Sequence, residues 1–158
     1  MRGDANKVVK MRMRLPFPEY DFPDLAAPRF TKQAVEDMTA VYVEKVNRVR
    51  AADPELERLI PETRHLGGRV LEQDRIQGLS YQDLWQEVQA GRAPSSVMDR
   101  AKAEGDRIGA KVKEALGTTT ANVEDRVYEV DVDTVANAFY DMQGNIVGVF
   151  EPIGVSPR

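Results

Sequence analysis

The chain contains no cysteine, a single histidine and a single tryptophan. The absence of cysteine excludes disulfides, thiolate metal sites and cysteine nucleophiles, and one histidine leaves no pair of imidazoles for a metal site. No run of apolar residues approaches the roughly 20 that a membrane-spanning helix needs. The N-terminus carries basic residues but lacks the apolar core of a signal peptide. We therefore expect neither a membrane protein nor one exported through a cleaved signal.

The composition is that of an ordinary globular protein. Of the 158 residues, 42% are hydrophobic and 30% are charged, which argues against wholesale disorder. The formal net charge of −4 gives no field that would collect nucleic acid. The length suits one domain, so we expect residues 1–158 to form a single α+β domain. We expect this domain in the cytoplasm or in a particle that is assembled inside the cell.

Two segments of opposite charge alternate in the manner of β-strands. Residues 1–15 carry a local charge of +4 and residues 124–133 a local charge of −4. In both segments charged and apolar residues alternate, which places them on opposite faces of a strand. Opposite charges facing each other across antiparallel strands contribute about 0.2–1 kcal/mol per pair. We therefore predict that an N-terminal strand at 8–15 pairs with the segment 127–133.

A basic N-terminal strand also suggests a weak nucleic-acid binder. Its charges would come from Lys10, Arg12 and Arg14. Three cations can make only a few phosphate contacts, and affinity for nucleic acid grows with their number. This function is kept as an alternative, and the sequence argues against nucleic acid as the main partner.

The middle of the chain, residues 31–117, is rich in helix signals. Apolar residues recur at spacings of three and four, and the pieces are separated by prolines and glycines. We predict about four helical segments, with 54–78 forming short helical pieces. The expected end signals are Thr31 as the first N-cap, Asp53 before Pro54, Ser80 with Asp83 as a capping box, Ser96 with Asp99 for the last helix, and Gly117 as its C-terminal end.

The last of these helices carries a stripe of small residues. Ala101, Gly105 and Gly109 lie four apart, beside Ile108 and Val112. A glycine inside a helix costs up to about 1 kcal/mol relative to alanine, so another backbone is expected to approach here. That backbone belongs either to this chain or to a partner, and Gly105 and Gly109 are candidate partner-binding residues.

The C-terminal segment predicts a hairpin within 126–151, with its turn at Asp141–Asn145. The segment FYDMQGNIVGVFEP resembles the final hairpin of vicinal-oxygen-chelate domains, the family of glyoxalases and bleomycin-resistance proteins. In that family the glutamate after such a strand is often a metal ligand, and Glu151 holds the matching position. The resemblance implies a metal-dependent enzyme of paired βαβββ modules, from which the helical middle departs.

The segment between the first strand and the first helix, residues 16–30, holds four prolines among its aromatics. Proline cannot donate to a β-ladder and favours extended neighbours, so we expect an extended strap. Each aromatic side chain can bury on the order of 150–250 Å². The strap therefore covers either its own chain or a neighbouring subunit. The aromatic candidates for partner binding are Phe17, Tyr20, Phe22 and Phe30.

Candidate catalytic or metal-binding residues are few. Asp131 and Asp133 lie on one strand face and form, with Glu129, a candidate site for a hard cation, to which the family resemblance adds Glu151. We interpret this acidic row first as solvated or as the partner of the basic strand, and only second as a cation site. The single histidine, His65, has no second histidine at ligand spacing, so we interpret it as a solvated or helix-end residue rather than a catalytic base.

These observations predict an α+β fold with a helical middle packed on a small antiparallel sheet, which the strand 8–15 and the hairpin 126–151 form together. The expected function is that of a non-catalytic structural or accessory subunit that binds another protein or self-associates, with no cofactor. The first alternative is a small enzyme or metal-binding domain that uses the acidic strand and hairpin.

Overall fold

A computed structural model describes residues 6–11, 31–132, 134–135 and 137–158, and the prediction of an α+β fold with four helices is confirmed. The helices are α1 (Lys32–Ala51), α2 (Pro54–Leu59), α3 (Tyr81–Gln89) and α4 (Ser96–Leu116). The strands are β1 (Lys7–Met11), β2 (Thr63–Gly67), β3 (Val70–Asp74), β4 (Leu79–Ser80), β5 (Thr120–Val123), β6 (Arg126–Val132), β7 (Ala138–Tyr140), β8 (Ile146–Val149) and β9 (Ile153–Pro157).

The described strands form three antiparallel sheets of three strands each. The strand orders are β1-β3-β2, β4-β7-β8 and β5-β6-β9. A single sheet made by both chain ends is therefore the wrong arrangement, because the N-terminal strand and the C-terminal hairpin belong to different sheets. Small sheets of this size depend on helices to cover their apolar faces.

The predicted pairing of the N-terminal strand with the acidic segment is wrong. Strand β1 pairs with β3, with Lys7 opposite Asp74 and Met11 opposite Val70. The acidic strand β6 has β5 on one side and β9 on the other, so neither of its edges is open to β1. Lys7 does form an ion pair across the strands, but its partner is Asp74. Residues 12–15 lie outside the described part of the chain.

The prediction of short helical pieces over 54–78 holds only for α2. The segment after it forms the antiparallel hairpin β2–β3. Gly67 and Gly68 connect the two strands with φ of 112° and 53°, backbone values that favour glycine. The Gly-Gly pair, predicted to separate helical pieces, is instead the turn of a hairpin, for which such a pair is also a typical signal.

Most of the predicted helix ends are confirmed. The hydroxyl of Thr31 accepts from the Ala34 amide at 3.1 Å, and Asp53 accepts the first amides of α2. Ser80 and Asp83 form the predicted capping box, and Gly117 ends α4 at φ 66°. The prediction is wrong at α4, where Ser95 takes the N-cap position.

At this end of α4 no side chain caps the helix. The carbonyls of Pro94 and Ser95 instead accept from the amides of Val97 and Met98 at 3.1 and 3.0 Å. In this tight first turn, backbone carbonyls accept from the first amides of the helix, which is the role that a capping serine side chain would otherwise have.

Helix α1 is the central element of the fold. It contacts α2, α4, β2, β3 and β9. Its apolar stripe from Val35 to Val49 is buried, and a second stripe of Ala34, Asp37 and Val41 is buried on another face. The helix therefore lies between other elements on two sides.

Charged side chains join α2 to α4 at the surface. The Arg107 guanidinium donates to both carboxylate oxygens of Glu55, at 2.9 and 2.7 Å, and Lys111 contacts Asp53 at 3.1 Å. Hydrogen bonds from Arg107 and Lys111 lower the pKa of Glu55 to about 2.

Among the described residues, no helix combines the length and apolar character that crossing a bilayer requires.

The C-terminal hairpin has the predicted turn. Asp141 accepts from the amides of Gln143 and Asn145, both at 2.9 Å. Gly144 adopts φ 79° and presses on the first turn of α4, where an added Cβ would lie 2.4 Å from the Val97 carbonyl oxygen. The turn is thus held against the helix by a residue without a side chain.

The substitution Gly144→Ala is expected to destabilise the protein by about 2–4 kcal/mol, because it adds backbone strain and a clash with a carbonyl. Urea unfolding measures the loss. Gly154→Ala is the matched control, since a Cβ at that exposed position meets nothing within 4 Å. Equal unfolding free energies for the two variants would contradict this account of the turn.

Candidate functional site

The predicted small-residue stripe of α4 packs against the segment that follows β6. A Cβ added to Gly105 would lie 2.8 Å from Val135 Cγ2, and one added to Gly109 would lie 3.1 Å from Thr134 Oγ1. The close approach inferred from the glycines is therefore made by this chain itself. A partner contact at Gly105 and Gly109 stays a prediction.

Thr134 brings a buried hydroxyl to this contact. The residue is 4% exposed, and its Oγ1 has no hydrogen-bond partner. Leaving a buried hydroxyl unpaired costs about 1–3 kcal/mol. Neighbouring polar groups of the segment are paired, since the Tyr140 hydroxyl donates to the Val135 carbonyl at 3.0 Å. The Thr134 hydroxyl is thus a polar group that a ligand can satisfy.

Two cavities follow α4 on this side. One has a volume of about 290 Å³ and the other about 650 Å³. Lys113 and Val132 line both cavities, so the cavities adjoin along α4, and we call the two together the α4 groove. Its helix side runs over 105–117, and its opposite side contains 130–132 with Thr134.

A second polar cluster joins α1 to β6. The Asp37 carboxylate is 5% exposed and accepts three hydrogen bonds. The Tyr128 hydroxyl and the Arg126 Nε donate to it at 2.6 Å each, and the Gln33 amide donates at 2.9 Å. The carboxylate is fully used by these donors, so the cluster fixes the helix to the sheet rather than presenting a reactive group.

The pKa values of Asp37 and Tyr128 are both displaced in this cluster. Burial alone would raise the pKa of Asp37, but the hydrogen bonds from Tyr128, Gln33 and Arg126 outweigh it and lower the pKa below its usual value. Burial and the hydrogen bond to the negative Asp37 together raise the pKa of the Tyr128 phenol to about 12.

The burial of Asp37 was not predicted from the sequence. The signal was present, because Ala34, Asp37 and Val41 repeat at helical spacing. A charged residue in the middle of that repeat hid it, since aspartate is rarely buried unless it is paired.

The largest exposed apolar side chain of the described residues belongs to α3. Trp85 is 50% exposed, whereas its neighbour Leu84 is fully buried. The helix is fixed by its capping box and by Tyr81, whose ring packs edge-on against Tyr140 at a centroid distance of 6.1 Å. Trp85 is therefore presented to solvent on a rigid element.

The predicted acidic set is only partly described. Asp131 is exposed on β6 opposite Gly154, Glu151 is half-buried between β8 and β9, and Asp133 lies outside the described residues. Over the residues that the structure describes, no three histidine or carboxylate side chains are grouped to hold a metal ion. His65 is exposed on β2, with its Nε2 2.8 Å from the Gly68 carbonyl oxygen.

The four aromatic candidates of the strap also lie outside the described residues. They are Phe17, Tyr20, Phe22 and Phe30. Their assignment to partner binding therefore stays a prediction.

No family model, curated protein or solved structure matches the chain. The hairpin that resembles the vicinal-oxygen-chelate family is formed by β7 and β8, as its turn residues predict. The described order of elements places four helices before β7, which differs from paired βαβββ modules. The likeness is thus confined to one hairpin, and function must be argued from the residues.

The Asp37 carboxylate predicts a loss of stability in acid. Its pKa is lowered on folding, so its contribution is present above the unfolded value of about 4 and is lost as pH falls through the folded value. Asp37→Asn should cost on the order of 2–3 kcal/mol at neutral pH and flatten the decline below pH ~4. Urea unfolding across pH measures both, with Asp99→Asn as the exposed control. An unchanged acid profile in Asp37→Asn would contradict this assignment.

The raised pKa of the Tyr128 phenol predicts a loss of stability at alkaline pH. Its pKa is raised on folding, so its contribution is complete below the unfolded value of about 10 and is lost as pH rises toward about 12. Over this range the free energy of unfolding of wild type should fall by on the order of 2 kcal/mol more than that of Tyr128→Phe, which has no phenol to ionise. Unfolding free energies at the two pH values provide the test, and parallel losses in both proteins would show that the phenol is not the cause.

Proposed function

We propose that this protein is a non-catalytic accessory subunit that binds another protein or a second copy of itself. The observation that carries the proposal is the exposed indole of Trp85 on α3. Tryptophan is enriched at the energetic centres of protein interfaces, where it is covered on binding. Single exposed apolar residues are common on proteins, but a half-exposed tryptophan is the largest of them.

The way α3 is fixed also supports this function. The capping box at Ser80 and the packing of Leu84 and Tyr81 hold the helix before any partner arrives. Because binding then orders few additional groups, little of the contact energy is lost to conformational entropy. The backbone that carries Trp85 is thus positioned in the free protein.

The charge pattern of the described residues is compatible with this function. Asp37, Glu55 and Asp53 are all paired within the chain. These carboxylates are therefore used in contacts within the fold.

Trp85→Ala should weaken association at least tenfold, as expected for an interface centre worth about 2 kcal/mol or more. Sedimentation over a wide concentration range measures self-association, and cross-linking in extracts of the native source identifies a different protein. The matched control is Leu66→Ala, which removes a side chain that is 54% exposed on the β2–β3 hairpin.

Trp85 is also the only tryptophan, so its fluorescence reports directly on its own burial. A shift of emission to shorter wavelength should accompany association in wild type and in Leu66→Ala. A strictly monomeric wild type that retains no protein, or a Trp85→Ala variant that associates as wild type does, would refute the proposal.

A further inference from the structure

The α4 groove has the shape of a site for an extended chain. Its helix side runs from Gly105 to Gly117, which is about 18 Å at 1.5 Å per residue. An extended peptide of about five or six residues covers that length.

The Thr134 hydroxyl supplies an independent sign of a missing ligand. It is buried, it lines the narrower part of the groove, and it has no hydrogen-bond partner. Buried polar groups in folded proteins are paired in the great majority of cases, so an unpaired one indicates an absent partner. A peptide backbone offers both N–H donors and carbonyl acceptors, and either kind satisfies a threonine hydroxyl.

The charges of the groove indicate which peptide would bind. Counting only the residues that the structure describes, three carboxylates line it, from Asp106, Glu114 and Asp131, against one ammonium from Lys113. Asp106 is paired with Lys102 at 2.7 Å, and the other two have no ion-pair partner among the described residues. The C-terminal end of α4 adds the partial negative charge of its free carbonyls. The groove is therefore complementary to positive charge.

We infer that the α4 groove binds an extended, basic segment of a partner protein, with the Thr134 hydroxyl bonded to its backbone and Asp131 and Glu114 facing its cations. This inference rests on the proposed protein-binding function, and it assigns a second surface, separate from Trp85.

The probe is an acetylated and amidated hexapeptide of alternating lysine and valine, titrated into the full chain by calorimetry. The control peptide replaces every lysine with glutamate. Wild type should bind the basic peptide and not the acidic one. Asp131→Asn should weaken binding several-fold and make it less dependent on salt, whereas Asp99→Asn, an exposed change at the other end of α4, should leave it unchanged.

Thr134→Val separates a ligand contact from a structural one. Because the hydroxyl is unpaired in the free protein, its removal should raise the melting temperature while it weakens peptide binding about fivefold to tenfold. If Thr134→Val lowers the melting temperature and leaves binding unchanged, the hydroxyl has an internal role and the inference is wrong.

The peptide assay can overturn the inference about the α4 groove without overturning the proposed function. If wild type binds neither peptide, or binds both equally, but association still depends on Trp85, the α4 groove inference alone is overturned. If the basic peptide binds and the Thr134 and Asp131 variants weaken it, the α4 groove is supported even where Trp85→Ala has no effect. Trp85→Ala itself should bind the peptide as wild type does.

Discussion

The burial of helix α1 on two faces is the constraint on which the rest of this structure depends. Three sheets of three strands cannot each build a core, and α1 contacts two of them as well as α2 and α4. Its second face includes the carboxylate of Asp37, which must be paired once it is buried. Tyr128 and Arg126 of β6 provide that pairing, so the position of the helix and the orientation of the sheet are determined together.

The features that sequence analysis predicted correctly are those decided over a few residues. The cap at Thr31, the capping box at Ser80 and the end of α4 at Gly117 each depend on one side chain and the nearest backbone amides. The pairing of the N-terminal strand was wrong for the opposite reason. Charge complementarity between strands is worth only about 0.2–1 kcal/mol per pair, and it does not decide which strands are already flanked on both sides.

The candidate site shows the same division. The glycines of α4 predicted a close approach, and the structure places Val135 and Thr134 against Gly105 and Gly109. The sequence could not predict that the Thr134 hydroxyl would be buried there without a hydrogen-bond partner. Its environment depends on the path of the chain from β6 to β7. The exposure of Trp85 could not be predicted from the sequence. A position beside the buried stripe of a helix is exposed or covered depending on which other elements pack next to it.

The sequence by itself determined the α+β class, the four helices, most of their ends and the turn of the C-terminal hairpin, because local hydrogen bonds and backbone preferences control these features. Only the tertiary structure decided which strands pair, that the Gly67-Gly68 pair closes a hairpin, and that Asp37 is buried. These outcomes depend on contacts between residues far apart in the chain. Such contacts are chosen by the packing of the whole core and leave only weak traces in any short segment.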